Sequence, residues 1–285
     1  MEHYDILIIG GGAAGIAAAK AAAGAKILLA DRKHALGGVL LQCAHRGFGK
    51  NKTGMEYAAA LLADLPETID LALHTTVLSV SGNKTALLSG REFGRKHVSF
   101  SQLILAAGCR EIPIGALPIA GTRPAGIYTA GQMQEQMNLH GFVPEGPAVI
   151  LGSGDLGLIM AKHLLDAGLD VSLVEQRPSC GGMLRNQQAL EGTAVKLICG
   201  STIREVHGSR YLEGCSLSDG TYLPCKTLLI AVGLQPEREL VAGLETEDWL
   251  HLCGNCSTVH PMVEGVVQDG TKTGIKARER IRGSL

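Results

Sequence analysis

Aromatic residues are scarce, at 4% of 285 positions, and Trp249 is the only tryptophan. The core must therefore be aliphatic, which suits parallel sheets covered on both faces. Charge of one sign is also lacking: 26 Lys and Arg against 27 Asp and Glu leave a net charge of −1. That balance, without basic-aromatic interleaving, argues against nucleic acid as a partner. No long apolar run opens the chain. The first uncharged stretch, Ile6 to Ala19, is 14 residues with four glycines, too short to span a bilayer. Glu2 and Asp5 precede it, where a signal peptide would be basic. The expectation is a cytoplasmic protein without a membrane span. Eight cysteines fall mostly singly in apolar or strand-like segments, as buried thiols do. A lone CxxC, Cys253 to Cys256, has no second pair at metal-ligand spacing, so no metal or Fe–S site is expected within the chain.

What the chain does contain is one pattern written twice. Asp5-Ile6-Leu7-Ile8-Ile9 runs into Gly10-Gly11-Gly12-Ala13-Ala14-Gly15, and Asp31 closes the next apolar stretch. Ala148-Val149-Ile150-Leu151 runs into Gly152-Ser153-Gly154-Asp155-Leu156-Gly157, and Glu175 closes the stretch after it. Each reads strand, tight turn, helix, strand, acid. Gly10 and Gly152 permit the turn, Gly12 and Gly154 let the backbone approach a pyrophosphate, and Gly15 and Gly157 let the helix pack on the strand. Free N–H groups and the helix dipole favour the pyrophosphate there. Asp31 stands 21 residues after Gly10 and Glu175 stands 23 after Gly152, a spacing that suits a hydrogen bond to a ribose hydroxyl. Two complete copies point to two bound dinucleotides.

The rest of the chain repeats the same plan. After the first copy come a helix over 54–64, short strands at 73–80, 84–88 and 97–100, and a buried strand ending at Gly108. A proline-bearing loop and a helix near 129–139 lead to the second copy. A strand at 195–199, a meander over 202–223 and a strand ending at Gly233 complete it. The period of roughly 140 residues is an internal duplication. A last strand, 249–255, has no βαβ unit of its own and can only join one of the two sheets. His260-Pro261 then starts a helical stretch, with Pro in a first-turn position. The tail 271–285, with five Lys and Arg against Glu279, reads as a solvated helix end or as a docking surface for a partner.

Five segments in order, the Gly10 fingerprint, LILAAGCREIP, the Gly152 fingerprint, LLIAVGLQP and LHLCGNC, resemble the two-dinucleotide flavoprotein superfamily of pyridine nucleotide-disulfide reductases. The resemblance implies an α/β fold of two Rossmann-like three-layer ββα domains. A NAD(P)H domain (111–239) would be inserted into a discontinuous FAD domain (1–110 and 240–285). By position it assigns to FAD Gly10, Gly12, Ala13, Ala14, Gly15, Asp31, Arg32, Gly37, Gly38, Val77, Ala107, Gly108, Gly254 and Asn255. To NAD(P)H it assigns Gly152, Gly154, Asp155, Leu156, Gly157, Glu175 and Gly233. Asn255 offers an amide where the superfamily usually has a carboxylate. Disulfide reductases also carry two cysteines after their Gly-Gly pair, where this chain has Leu40 and His45.

GGVLLQCAHRGFG and CGNCSTVHPMVEG resemble more closely a branch without the redox disulfide. Its members serve as electron-transfer or reductase subunits beside an amine-, opine-, proline- or glycerol-3-phosphate-oxidising flavoprotein. The resemblance implies FAD and NAD(P)H as cofactors and hydride exchange between them. It also implies that the partner is a second flavoprotein or Fe–S subunit. Glu175 favours NADH, since a carboxylate repels a 2′-phosphate, and Arg177 weakens that preference. His45 and His260 are the candidate catalytic groups: His45 stands where the flavin-proximal cysteine would be, and His260 precedes the helix whose N-terminus faces the flavin. The alternatives are a non-catalytic or electron-conduit subunit with a structural nucleotide in the second site, and a thiol-disulfide reductase using Cys253 and Cys256.

Overall fold

The structure, a computed structural model, describes residues 1–283; Ser284 and Leu285, the end of the basic tail, lie outside the described residues. The first part of the chain forms β1 (Glu2–Ile9), α1 (Ala13–Ala21), β2 (Ile27–Ala30), a small hairpin β3 (Arg46–Phe48) and β4 (Lys52–Thr53), α2 (Gly54–Leu62), β5 (Asp70–Ala72), β6 (Thr75–Ser81), β7 (Thr85–Gly90), β8 (Gly94–Leu105) and β9 (Cys109–Glu111). The second part runs β10 (Ala120–Gly121), β11 (Ile127–Thr129), α3 (Ala130–His140), β12 (Ala148–Leu151), α4 (Asp155–Asp166), β13 (Val171–Glu175), α5 (Leu184–Gln188), β14 (Lys196–Cys199), β15 (Ile203–Gly208), β16 (Leu212–Leu217), β17 (Tyr222–Pro224) and β18 (Thr227–Ile230). The chain ends with β19 (Leu234–Pro236), β20 (Leu250–Leu252) and α6 (Val263–Arg282). It divides into two compact units, Met1–Arg110 with Gln235–Leu285, and Glu111–Leu234. The return comes at Gln235 rather than 240. Glu237 N–H donates to the Gly108 carbonyl at 3.0 Å, and Arg110 pairs with Glu237 and Glu239, so this stretch already belongs to the first unit.

In the first unit the sheet order is β5-β2-β1-β8-β7-β6, with β20 also on β8. Alternation along β1 splits the core. Leu7 and Ile9 face the meander side with Val98, Phe100 and Trp249, whereas Ile6 and Ile8 face α1 and α6 with Ile16, Ala18 and Ala277. The strand expected at 97–100 and the buried strand expected to end at Gly108 are one strand, which ends at Leu105. The β8 strand pairs with β1 over Val98–Leu105, with β7 over Gly94–Ser99 and with β20 over Leu103–Leu105. One edge thus serves two neighbours in succession. The tail is also not merely solvated. The α6 helix runs to Arg282, and Cβ atoms at Gly270 and Gly274 would fall 2.3 and 2.2 Å from the Ala14 and Ala18 carbonyls. Only small residues at that i, i+4 spacing let α6 lie so close to α1.

In the second unit the parallel sheet β11-β18-β12-β13-β14 carries α3 and α4 on one face. A second sheet, β10-β15-β16-β17, covers the other, enclosing Val149, Leu151, Val174, Val206 and Leu217. Capping boxes, Thr53 with Glu56 and Thr129 with Gln132, start α2 and α3, each satisfying otherwise orphaned N–H groups.

The return strand β20 is fastened by one buried polar pair. His251, 5% exposed, donates through Nε2 to Gln102 Oε1 of β8 at 2.8 Å. Burial, helped by Lys276 and Arg280, lowers the imidazole from its ordinary 6.5 to about 4. Between those values an unfolded chain takes up a proton that the folded chain refuses, so stability falls as pH falls through that window. Denaturant unfolding should lose up to about 3 kcal/mol between pH 7 and pH 4 from this group. The variant His251→Gln should show a flatter pH slope; an unchanged slope would refute the assignment.

Candidate functional site

The two glycine turns superimpose in their chemistry. Gly10 and Gly152 have φ of +105° and +104°, and a Cβ on either would fall 2.4 Å from the carbonyl of Ala106 or Ala231. Gly15 and Gly157 would drive a Cβ to 1.8 and 2.1 Å from the carbonyls of Gly10 and Gly152. These four glycines are demanded by the fold. Gly12 and Gly154 are different. A Cβ at Gly12 would meet only the Gly38 Cα at 4.0 Å, and one at Gly154 nothing within 4 Å. Their bareness serves no packing purpose, and it leaves an open approach to the first turns of α1 and α4. A pyrophosphate fits such a cradle, because helix N-termini present free N–H donors and a positive dipole end.

Each acid braces its own turn. Asp31 accepts the N–H of Gly11 at 2.6 Å and that of Lys33 at 2.7 Å. Glu175 accepts the N–H of Ser153 at 2.9 Å, the Ser153 hydroxyl at 2.6 Å and the N–H of Arg177 at 2.9 Å. Burial pushes the Glu175 carboxyl upward, but these hydrogen bonds and the Arg177 charge outweigh it and hold the group below the usual range. A carboxylate oxygen has two lone pairs, so each acid retains capacity for a ribose hydroxyl.

The copies diverge beside the turn. In the first, Gly37 N–H donates to the Gly11 carbonyl at 2.8 Å, and a Cβ on Gly38 would lie 3.0 Å from the Gly12 Cα. In the second, the equivalent Gly181-Gly182 pair is tied by side chains. Gly181 N–H donates to Ser153 Oγ at 2.7 Å, while Asp155 Oδ1 accepts Met183 N–H at 2.6 Å and the Asn186 amide at 2.7 Å. Asp155 therefore spends its carboxylate on the loop. Leu156 is half-buried beside it and Arg32 is exposed. A Gly-Gly pair six residues after each acid is the sequence signal for these loops, and the Gly181-Gly182 pair adds to the residues expected at the second turn.

The return segment gathers a further cluster. Gly254 N–H donates to Asp269 Oδ2 at 2.7 Å, and His260 N–H donates to Asn255 Oδ1 at 3.0 Å. His260 Nε2 lies 3.6 Å from the same Asp269 oxygen. Arg238 donates to the carbonyls of Cys256 and Ser257, the first at 2.6 Å. The Asn255 side-chain amide also reaches Cys109 Sγ at 3.7 Å. Asp269 and Arg238 carry no motif signal, since each acts on a segment distant in sequence. His45 is half-buried on the other segment, its ring 5.2 Å from Phe48. The hairpin that follows it is linked to α6, where Glu264 accepts Gly49 N–H at 3.1 Å. Leu40 packs on Ala13 and Ala58. Val77 sends its side chain into the core, leaving only its backbone for a cofactor. Ala107 and Gly108 follow β8, and Gly233 follows β18 and accepts Ile112 N–H at 3.1 Å.

Cys253 and Cys256 are both fully buried, on opposite faces of the sheet, Cys253 with Ile6 and Ile8 and Cys256 with Leu7 and Leu105. Burial pushes both thiols up. Cys256 Sγ donates to the carbonyls of Leu105 and Cys253. That arrangement opposes a reactive dithiol.

Two glycine cradles, each with a braced acid, on duplicated three-layer units define a two-dinucleotide oxidoreductase. The family model for pyridine nucleotide-disulphide oxidoreductase matches residues 4–263, and the chain belongs to that family. FAD and NAD(P)H are its cofactors. The chain is 28% identical to an opine oxidase subunit of Agrobacterium tumefaciens, over 86% of this chain and 56% of the relative. It is 32% identical to the hydrogen cyanide synthase subunit HcnB of Pseudomonas protegens, over 65% of this chain and 40% of the relative. The chain thus spans about half the length of these relatives. The fold matches Lactococcus lactis thioredoxin reductase, with a TM-score of 0.79 and 20% identity, over 98% of this chain and 99% of that one. It also matches L-proline dehydrogenase from P. horikoshii, with a TM-score of 0.69 and 18% identity, over 99% of this chain and 59% of that one. No described helix is long and apolar enough to cross a membrane.

Two substitutions separate packing from binding at the first turn. Gly12→Val should give folded, colourless protein, because its extended backbone accepts a side chain and only the pyrophosphate space is filled. Gly15→Val should lower stability by about 3 kcal/mol or more, by overpacking α1 on the turn. Flavin absorbance and thermal unfolding read the two effects, and a yellow Gly12→Val protein would refute the cradle. A thiol reagent should also leave Cys253 and Cys256 unlabelled in native protein while labelling them after denaturation; rapid native labelling would revive the dithiol reading.

Proposed function

We propose that this chain is the NAD(P)H-oxidising, electron-transfer subunit of a flavoenzyme complex. Hydride would pass between NADH and FAD, and electrons would pass to or from a second flavoprotein or Fe–S subunit. The observation that carries the reading is the pair of open cradles combined with Leu40 in the core and His45 on the loop, where disulfide reductases keep their thiols. When bound, FAD supplies the hydride-accepting chemistry. The protein holds a pyrophosphate on the first turn of α1, orients a ribose through Asp31 and keeps the start of α6 in place through Asn255 and Asp269. A helix N-terminus stabilises an anion by about 0.3–1 kcal/mol. His45 and His260 are the groups we assign to proton handling, because an imidazole can donate a proton through one ring nitrogen and accept one through the other. Three relatives named as subunits, of opine oxidase, hydrogen cyanide synthase and sarcosine oxidase, support a partner-dependent role. Eight free cysteines suit a reducing, cytoplasmic setting.

A non-catalytic second site is the other reading, and one observation favours it. Asp155 places a carboxylate in the first turn of α4 and ties the Gly181–Asn186 loop beside the cradle. Anaerobic stopped-flow separates the two readings. NADH should bleach the bound flavin faster than NADPH, and Glu175→Gln should narrow that gap. Gln is preferred to Ala because it retains an acceptor for the Ser153 turn. Bleaching by neither nucleotide would overturn the reductase reading in favour of a structural nucleotide, and equal rates would remove Glu175 as the selector.

A further inference from the structure

The Gly10 cradle lies at the C-terminal end of β1. At the other end of the same sheet is a cavity of about 570 Å³, whose lining includes Asp5, Lys84, Ser101, Gln102, Arg278 and Arg282. Its charges are unbalanced. Nearby Lys26 and Lys96 are both paired with Glu2. Among the described residues, by contrast, no carboxylate lies within ion-pair distance of Lys84, Arg278 or Arg282. Asp5, the acid in the lining, accepts the Lys26 backbone N–H at 2.7 Å and, among the described residues, forms no ion pair with the three cations. Lys84 comes from the β6–β7 turn and the two arginines from the last turns of α6, so three cations from two elements line the cavity against the single carboxylate of Asp5.

The wall between them carries neutral donors. Gln102 is 8% exposed, and its Oε1 is occupied by His251. No hydrogen bond to its amide nitrogen is found among the described residues, so a nine-tenths-buried donor is left at the cavity wall. Ser101 Oγ lies beside it, 3.2 Å from His3 Nε2. A helix C-terminus repels an anion through its dipole. A cationic ligand would therefore suit the end of α6 alone, but not α6 carrying Arg278 and Arg282 with Lys84 opposite.

We propose that this cavity binds the phosphate group of a small molecule. A phosphate carries close to two charges and several strong acceptor oxygens. It can take guanidinium, ammonium, amide and hydroxyl donors from different directions, where a carboxylate offers two coplanar oxygens. The cavity also has room beyond one phosphate group, which admits a phosphate monoester as well as the free ion. This site is separate from both dinucleotide turns and does not depend on the electron-transfer reading.

Calorimetric titration of the FAD-containing protein at fixed ionic strength, with NAD⁺ present to occupy the second turn, tests it. The probes are inorganic phosphate and phenyl phosphate. One saturable site is expected for at least one of them, weakened about tenfold or more in Arg278→Ala/Arg282→Ala. Lys84→Gln, on the opposite wall, should weaken it in the same sense with the flavin spectrum unchanged. Lys272→Ala, on the same helix outside the cavity, should leave binding as it is. Tighter binding of phenyl phosphate assigns the site to monoesters, and tighter binding of inorganic phosphate assigns it to the free ion. A flat titration with both probes, or an affinity unaltered by Arg278→Ala/Arg282→Ala and by Lys84→Gln, overturns the proposal.

Discussion

Everything in the first unit depends on how closely α1 is allowed to approach its neighbours. On one side, Gly15 brings the helix against the Gly10 carbonyl; on the other, Gly270 and Gly274 let α6 settle on the carbonyls of Ala14 and Ala18. No side chain larger than hydrogen fits at any of these three contacts. The helix itself is nearly all alanine and glycine, so little side-chain entropy is lost in clamping it. The benefit is positional. A helix fixed on both sides presents its first-turn N–H groups in one place, which is what an anion cradle requires.

The second unit solves the same problem with different chemistry. Where Gly11 stands in the first copy, Leu36 fills the space a side chain would need, with its Cδ2 2.3 Å from an imagined Cβ. In the second copy that position is Ser153, fully buried, and its hydroxyl joins Glu175 to Gly181. Apolar packing in one copy is replaced by a satisfied polar network in the other, at a site where an unpaired hydroxyl would be costly. The acid changes with it. Glu175 reaches both the backbone and the hydroxyl of Ser153, one group more than Asp31 holds at its own turn.

The parts legible in the sequence are those governed by local rules. The glycine turns and the strands that end on glycine follow from backbone geometry within about ten residues, the closing acids from a single βαβ unit of about 25, and the fold class follows from their order. Less legible are contacts whose partners lie far apart in sequence. The continuous β8 reads as two strands because Ser101 and Gln102 interrupt the apolar run, yet one faces the open end of the sheet and the other is buried against His251. The length and burial of α6 escape a reading by hydropathy, because a charged, weakly apolar segment reads as solvated while glycines make its contact with α1. Val77 falls at a cofactor position by resemblance, although its place on the strand sends the side chain into the core.

The CxxC illustrates how spacing misleads when the local backbone is not helical. In redox motifs the two sulfurs meet because a helical turn brings the first and fourth residues to one side. Here Cys253 closes a strand in an extended conformation, and the short turn Gly254–Cys256 follows a reversal at Gly254, with φ of +64°. A Cβ at Gly254 would lie 2.6 Å from the Ala14 Cβ, so this reversal is another point where the return segment is pressed against α1. The two thiols consequently flank the sheet instead of facing each other. What this segment contributes is shape. Gly254 and Asn255 are held by Asp269 and by the His260 backbone, and the same glycine that disperses the cysteines positions the start of α6.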